Sequence, residues 1–152
     1  LERTWLAPDR IALHLRMEPR VTSPDPRIDS LRQTVALERG PLVYAVEDAD
    51  LQAGASVESI EVDPALRVQA VSEPIPGLEG AIRLVFDAQV RDDGLDSEWP
   101  YPSRPVSDPA TRHAPPAAEV TVHAAPYFAW AERPRLGMRV WLPTRPDPAS
   151  DQ

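Results

Sequence analysis

Nineteen prolines stand against six glycines in this 152-residue chain, and eleven of the prolines fall from Pro100 onward. Inside a helix a proline removes a hydrogen bond and clashes with the preceding turn, so the later part of the chain must be short strands and rigid loops. Between the prolines the sequence alternates. Ile11, Leu13, Leu15 and Met17 interleave with Ala12, His14, Arg16 and Glu18. Ile82, Leu84, Phe86, Ala88 and Val90 form the cleanest stripe, opposite Arg83, Asp87, Gln89 and Arg91, with Val85 the one apolar residue on that polar side. A period of two sets one face of a strand against a core and the other toward water. Val120 and Val122 resume it.

Further strands are expected over 35–37 and 42–47, the second apolar on both faces as an interior strand is. Asp63-Pro64-Ala65 reads as a turn between adjacent strands at 57–62 and 66–71. From 91 to 116 the chain is acidic and then proline-rich, an excursion outside the core. A closing hairpin is expected from 127–131 and 138–142, turning through 132–137. Tyr127, Ala129 and Ala131 then fall on one face and Phe128 and Trp130 on the other, so this strand should be covered on two sides. With no helical stretch and no repeat, the chain reads as an all-β fold, an antiparallel β-sandwich of Greek-key or jelly-roll type. Ile82, Leu84, Phe86, Val140 and Leu142 should share one core. The domain reading is 1–18 as the last strand of a preceding β-sandwich or linker region, 19–30 as linker, 31–143 as the sandwich and 144–152 as a disordered tail. The chain begins with Leu1 rather than Met, as an excised piece of a longer protein would.

A formal charge of −8 excludes the positive field that nucleic acid or an anionic membrane requires. No run approaches 18 apolar residues, and no signal peptide opens the chain. There is no cysteine, hence no disulfide, no thiolate metal site and no thiol nucleophile. That composition is compatible with both export and the cytoplasm, of which the cytoplasm is the expectation.

Few residues could carry chemistry. Arg39, between two apolar segments, could clamp a carboxylate or a sugar hydroxyl with its planar donors. The structural reading is a salt bridge to Glu38, Glu47 or a carboxylate of an adjoining domain, bracing the bend at Gly40 and Pro41. Gly40 should meet a special backbone angle, and Pro41 fixes entry to the next strand. Trp99 and Tyr101, with Trp5, sit in loop-like stretches where flat rings could stack on a sugar. Trp130 and Trp141 should pack in the sheet or at its edge, with their N–H groups bonded, and hold the closing hairpin. Asp92, Asp93, Asp96 and Glu98 supply oxygen ligands that could hold calcium, though not at EF-hand spacing. A glycosidase pair needs two carboxyl groups about 5–10 Å apart in a concave site, which neighbouring loop acids do not provide. His14, His113 and His123 have no closely spaced partners and read as solvated or hydrogen bonded. No phosphate loop, nucleotide fingerprint or serine-nucleophile motif is present. No catalytic, cofactor-binding or metal-ligating residue is assigned.

Val35-Ala36-Leu37-Glu38-Arg39-Gly40-Pro41-Leu42-Val43-Tyr44, followed by Glu47 and Asp50, resembles the C-terminal part of the β-L-arabinofuranosidase family, glycoside hydrolase family 127, formerly a domain of unknown function. Pro126-Tyr127-Phe128-Ala129-Trp130-Ala131-Glu132-Arg133 and Gly137-Met138-Arg139-Val140-Trp141-Leu142-Pro143 resemble that family's closing hairpin, and the stretch from Trp5 to Met17 resembles the strand just ahead of the Arg39-Gly40-Pro41 segment. The resemblance spans nearly the whole chain and is weakest from Leu51 to Ala117. It implies a parent whose (α/α)6 barrel removes β-linked L-arabinofuranose with retention, through a cysteine nucleophile that also belongs to a zinc site. None of those motifs maps here, and Ala45 stands where members often carry cysteine after the Val-Tyr pair. The expected role is therefore a non-catalytic C-terminal β-sandwich that supports the barrel or a homodimer, with zinc only in the parent's catalytic domain. Two alternatives stay open: a carbohydrate-binding module with exposed rings, and a calcium-stabilised interaction domain. Neither nucleic acid nor membrane is an expected partner.

Overall fold

A computed structural model describes residues 9–52, 55–91, 118–132 and 137–145, together with Glu2, Thr4 and Leu6. Among these described residues nine strands are formed: β1 (Pro19–Thr22), β2 (Thr34–Arg39), β3 (Leu42–Glu47), β4 (Ile60–Glu61), β5 (Gln69–Ser72), β6 (Ile82–Val90), β7 (Ala118–Pro126), β8 (Met138–Arg139) and β9 (Leu142–Pro143). They join in one sheet of order β1-β2-β3-β7-β6-β4, with β5 on β6, β8 on β3 and β9 on β2. Every strand pair is antiparallel. The fold is all-β and sandwich-like, as the alternation requires.

The β2–β3 hairpin follows from its turn residues. Arg39 pairs with Leu42, leaving Gly40 and Pro41 as a two-residue loop. Gly40 takes φ +57°, in the left-handed region that glycine enters freely, while the proline ring holds Pro41 at negative φ. Glycine first and a negative φ second make a primed turn of the II′ kind, whose twist matches its strands. A Cβ on Gly40 would collide with the Met17 sulfur. Residues 16–17 therefore lie over this turn.

Strand β6 is the spine. Along one edge it pairs with β7 from Leu84–Ala124 to Val90–Ala118. Its other edge is shared, β5 holding residues 82–85 and β4 residues 89–90. The turn after β4 forms, with the Ala65 amide on the Asp63 carboxylate at 2.8 Å and the Leu66 amide on the Asp63 carbonyl at 3.0 Å. It does not join two paired strands, as expected above, but carries the chain along a single edge of β6. Because β7 returns beside β3, the spatial order β3-β7-β6-β5 is a Greek key read from its far end.

Residues 138–143 close the structure. Continuing the hairpin register would set Val35 opposite Val46, but Val46 pairs with Arg139 and Val35 with Leu142. The same segment reaches the other extreme of the sheet: the Pro143 carbonyl accepts from Val62 N at 2.9 Å, and Arg145 N donates to the Val62 carbonyl at 3.0 Å. Val62 directly follows β4. One hydrogen-bonded path thus curls until its ends meet, in place of two separate sheets. Its facing walls enclose Leu37, Tyr44, Val46, Ile60, Val62, Leu84, Phe86, Val122 and Leu142.

Several expectations are corrected. Leu84, Phe86 and Leu142 share the core, but Ile82 is half-buried and Val140 lies at a bend between β8 and β9. Residues 11–17 form no strand: Ile11, Leu13 and Leu15 are exposed, since no described strand lies beside them. Pro19–Thr22, read as linker, is edge strand β1, with proline at its first position where a missing donor is tolerated. Residues 127–131 are not a strand either. Tyr127–Glu132 is a 3-10 helix, so the closing hairpin does not form, and its second half is split between β3 and β2. Thr144 and Arg145, assigned to the tail, are hydrogen bonded to Gln33 and Val62.

Leu84 is fully buried where both walls meet. Leu84→Ala should lower stability by about 2–5 kcal/mol, read as a shifted urea midpoint at unchanged slope.

Candidate functional site

Three places could carry function: a buried polar cluster beside β6, two open clefts, and the end of the fold around the Gly40–Pro41 turn. In the first, the Arg83 guanidinium meets the Asp50 carboxylate at 2.8 Å with both side chains 6% exposed. The same Arg83 nitrogen donates to the His123 carbonyl at 3.1 Å. Glu73 stands 3.8 Å from Arg83 Nε and holds His123 Nδ1 at 2.6 Å. Alternation placed Arg83 on the watered face of β6. The 3-10 turn Asp48–Asp50, following β3, covers that face instead and brings Asp50 to the guanidinium. Asp48 works similarly: its carboxylate accepts from Val57 N at 2.8 Å and Gly137 N at 2.9 Å, tying three distant segments. A Cβ on Gly137 would strike that carboxylate and Val57, so close approach requires glycine there. Each acid has a structural partner, which makes this a tie between segments. The acidic run after β3 was the available signal, but which cations it meets depends on the curl.

The clefts are equally committed. One, of about 270 Å³, is lined by Glu61, Asp63, Asp87, Glu119, Arg67 and Arg145 among others. Three of its four carboxylates are engaged: Glu61 by Arg91, Asp63 by Arg145, and Asp87 by Thr121. The other, of about 400 Å³, is lined mainly by prolines and neutral polar groups between β1 and Thr144, with Arg32 its one charged residue. Among the described residues no three of His, Asp and Glu gather where a metal could be held.

The third place contains the motif residues. Tyr44 is buried, and its hydroxyl donates to the Ile82 carbonyl at 3.0 Å, tying β3 to β6. Burial pushes the phenol above its usual pKa, and the positive charge of Arg39 opposes the shift. Arg39 sits diagonally across the hairpin from Tyr44, on the same face as Leu37. The expected bridge from Arg39 to Glu38 is not the one formed. Glu38 holds Arg20 at 2.6 Å and Thr22 at 2.9 Å across the β1–β2 ladder, because adjacent residues of a strand face opposite ways. Arg39 Nε is buried and has no hydrogen-bond partner.

Beside it the 3-10 helix turns Ala129 inward and Tyr127, Phe128 and Trp130 outward. Residues three apart eclipse in such a helix, and accordingly the Tyr127 and Trp130 rings stack nearly parallel, 6.4 Å between centroids and 7° between planes. Trp130 therefore does not pack in a sheet, and Trp141 stands at the bend between β8 and β9, half-buried. Trp5, Trp99, Tyr101, His113 and the acidic set Asp92, Asp93, Asp96 and Glu98 lie outside the described residues.

Residues 19–143 match the glycoside hydrolase family 127 C-terminal domain. Among solved structures, one described as a glycoside hydrolase is 25% identical, with a TM-score of 0.68 over 84% of this chain and 19% of its own. A family 127 β-L-arabinofuranosidase from Geobacillus stearothermophilus T6 is 26% identical, with a TM-score of 0.65 over 85% of this chain and 18% of its own. A family 127 β-arabinofuranosidase is 29% identical, with a TM-score of 0.64 over 85% and 17%. This chain thus spans less than a fifth of each structure. No curated protein sequence matches it.

Two outcomes test the polar ties. Asp50→Leu leaves the Arg83 guanidinium buried without its nearest carboxylate and should cost about 3–5 kcal/mol in chemical denaturation. The second concerns alkali. The chain has no lysine, so between about pH 9 and 12 its three tyrosines are the side chains that titrate. A raised phenol pKa means the folded state holds the Tyr44 proton more tightly than the unfolded state does. That stability is complete below the ordinary phenol value and declines as pH rises through the folded one. Tyr44→Phe should lose about 0.5–1.5 kcal/mol at neutral pH and show a flatter decline above about pH 10.

Proposed function

Because this chain belongs to the C-terminal domains of glycoside hydrolase family 127, we propose that it is the non-catalytic β-domain of an arabinofuranosidase-like hydrolase and braces the catalytic domain of the same polypeptide. The observation that carries this reading is the match over residues 19–143, in a chain spanning less than a fifth of the enzymes it resembles. Chemistry supports it. A retaining mechanism through a cysteine nucleophile, as the family resemblance implies, has no residue to use in a chain without cysteine. A zinc site built on cysteines would have no ligands here for the same reason, so zinc belongs with the catalytic domain. Glu38, Glu61, Asp63 and Asp48 are joined to arginines or backbone amides in pairs that hold segments together. No helix among the described residues is long and apolar enough to cross a membrane.

Incubated with an aryl β-L-arabinofuranoside, the purified chain should release no aglycone above the buffer rate, whereas a polypeptide carrying both this domain and the catalytic domain should turn over. Release that co-purifies with the 152-residue chain through successive columns would overturn the reading.

A further inference from the structure

Two sets of apolar side chains lie in water at the same end of the fold. The first is the arm ahead of β1, where Ile11, Leu13 and Leu15 alternate with polar residues yet are all exposed, Leu13 to 77%. Its last residue but one, Met17, sits over Gly40 and fixes the end of the arm at the β2–β3 turn. The second is the aromatic shelf of Tyr127, Phe128 and Trp130, with Phe128 59% exposed. Strand β7 runs antiparallel to β3, with Ala125 opposite Ala45 and Pro126 opposite Tyr44, so the chain leaving Pro126 heads toward that turn. Arm and shelf therefore flank the same hairpin tip.

We infer that this end of the domain, arm and shelf together, is the seat of the catalytic domain that precedes it in the same polypeptide. The inference rests on the proposed function and names the face that serves it. Three observations select the occupant. The related structures are more than five times as long as the part this chain covers, and the matched family is a C-terminal domain. The family match begins at residue 19, immediately after the arm, so chain from a preceding domain enters the fold at this tip. The exposed groups are of the kind that fills interface cores: three aromatic rings, held by a short helix that turns Ala129 inward. A period-two arm has one apolar side to bury, and no described strand lies beside it.

Hydrogen exchange read by mass spectrometry on the native gene product, and on the 152-residue chain alone, tests this. In the longer protein, amides of residues 10–17 and 127–130 should exchange on the order of tenfold more slowly, while the exposed turn at 63–66 exchanges alike in both. Leu13→Ser combined with Phe128→Ser should erase the added protection and lower the melting temperature of the longer protein. In the isolated chain, where both residues are already in water, it should leave the melting temperature unchanged. Equal exchange of the two segments in both proteins would overturn the inference, as would a native gene product no longer than this chain. Protection that appears only on concentration-dependent dimerisation would assign the face to a second copy and also overturn it. So would protection that appears only on adding an arabino-oligosaccharide, which would make the stacked rings a sugar platform. Sugar release by the 152-residue chain would reject the non-catalytic reading and leave the footprint to be judged separately.

Discussion

Closure of the sheet by residues 138–143 is the constraint on which the other features depend. An open sheet of this size would leave one face of β6 and β7 in water and its terminal strands unpaired, a liability in any soluble domain. Here a six-residue segment pairs with both legs of the β2–β3 hairpin and then with Val62 beyond β4. That places Leu142 in the same core as Leu84 and Phe86, so the segment supplies an apolar plug as well as hydrogen bonds. The bend at Val140 and Trp141 is the geometric consequence of pairing with two strands in succession.

Curling also determines the polar architecture. Once the far end of β3 folds over β6, a face that alternation assigns to water becomes interior, and Arg83 must find a partner there. Asp50 provides it, and the His123 carbonyl takes a second donor from the same guanidinium. A buried ion pair of this kind adds little net stability over an apolar replacement, but breaking it is costly, so it specifies which segments meet. Asp48, bonded to Val57 and Gly137, imposes the same kind of specificity on the loop before β4 and the segment entering β8.

For a C-terminal domain of glycoside hydrolase family 127 this division of labour is coherent. Carboxylates and guanidinium groups that could resemble catalytic machinery are consumed in holding the curled sheet together. Apolar surface that a free-standing domain would bury is left at one end, around a turn whose conformation glycine and proline fix locally. Rigidity near that end comes from Tyr44, whose hydroxyl bonds β3 to β6 directly behind the turn. A rigid end with exposed rings suits docking to a neighbour.

Local patterns were legible in the residues themselves. The stripe through Leu84 and Phe86, its continuation at Val120 and Val122, and the Gly40–Pro41 turn each depend on a few adjacent side chains: strand period in the first two, backbone angle in the third. The family was legible for the same reason, because the strings around Arg39 and Trp130 are contiguous. What could not be read were the pairings between distant segments. Residues 11–17 alternate as a strand should but lack a neighbour, while Pro19–Thr22 lacks a strand's composition but has β2 beside it with Glu38 waiting for Arg20. Tyr127 to Trp130 carry apolar groups that suit a buried strand, yet the 3-10 helix turns Ala129 inward and the three rings outward. Alternation and turn chemistry, acting over a few residues, made the all-β class a property of the sequence. Which strand met which edge, and which charge became buried, was decided only when the sheet closed, because hydrogen bonds between strands are satisfied by partners that no local pattern names.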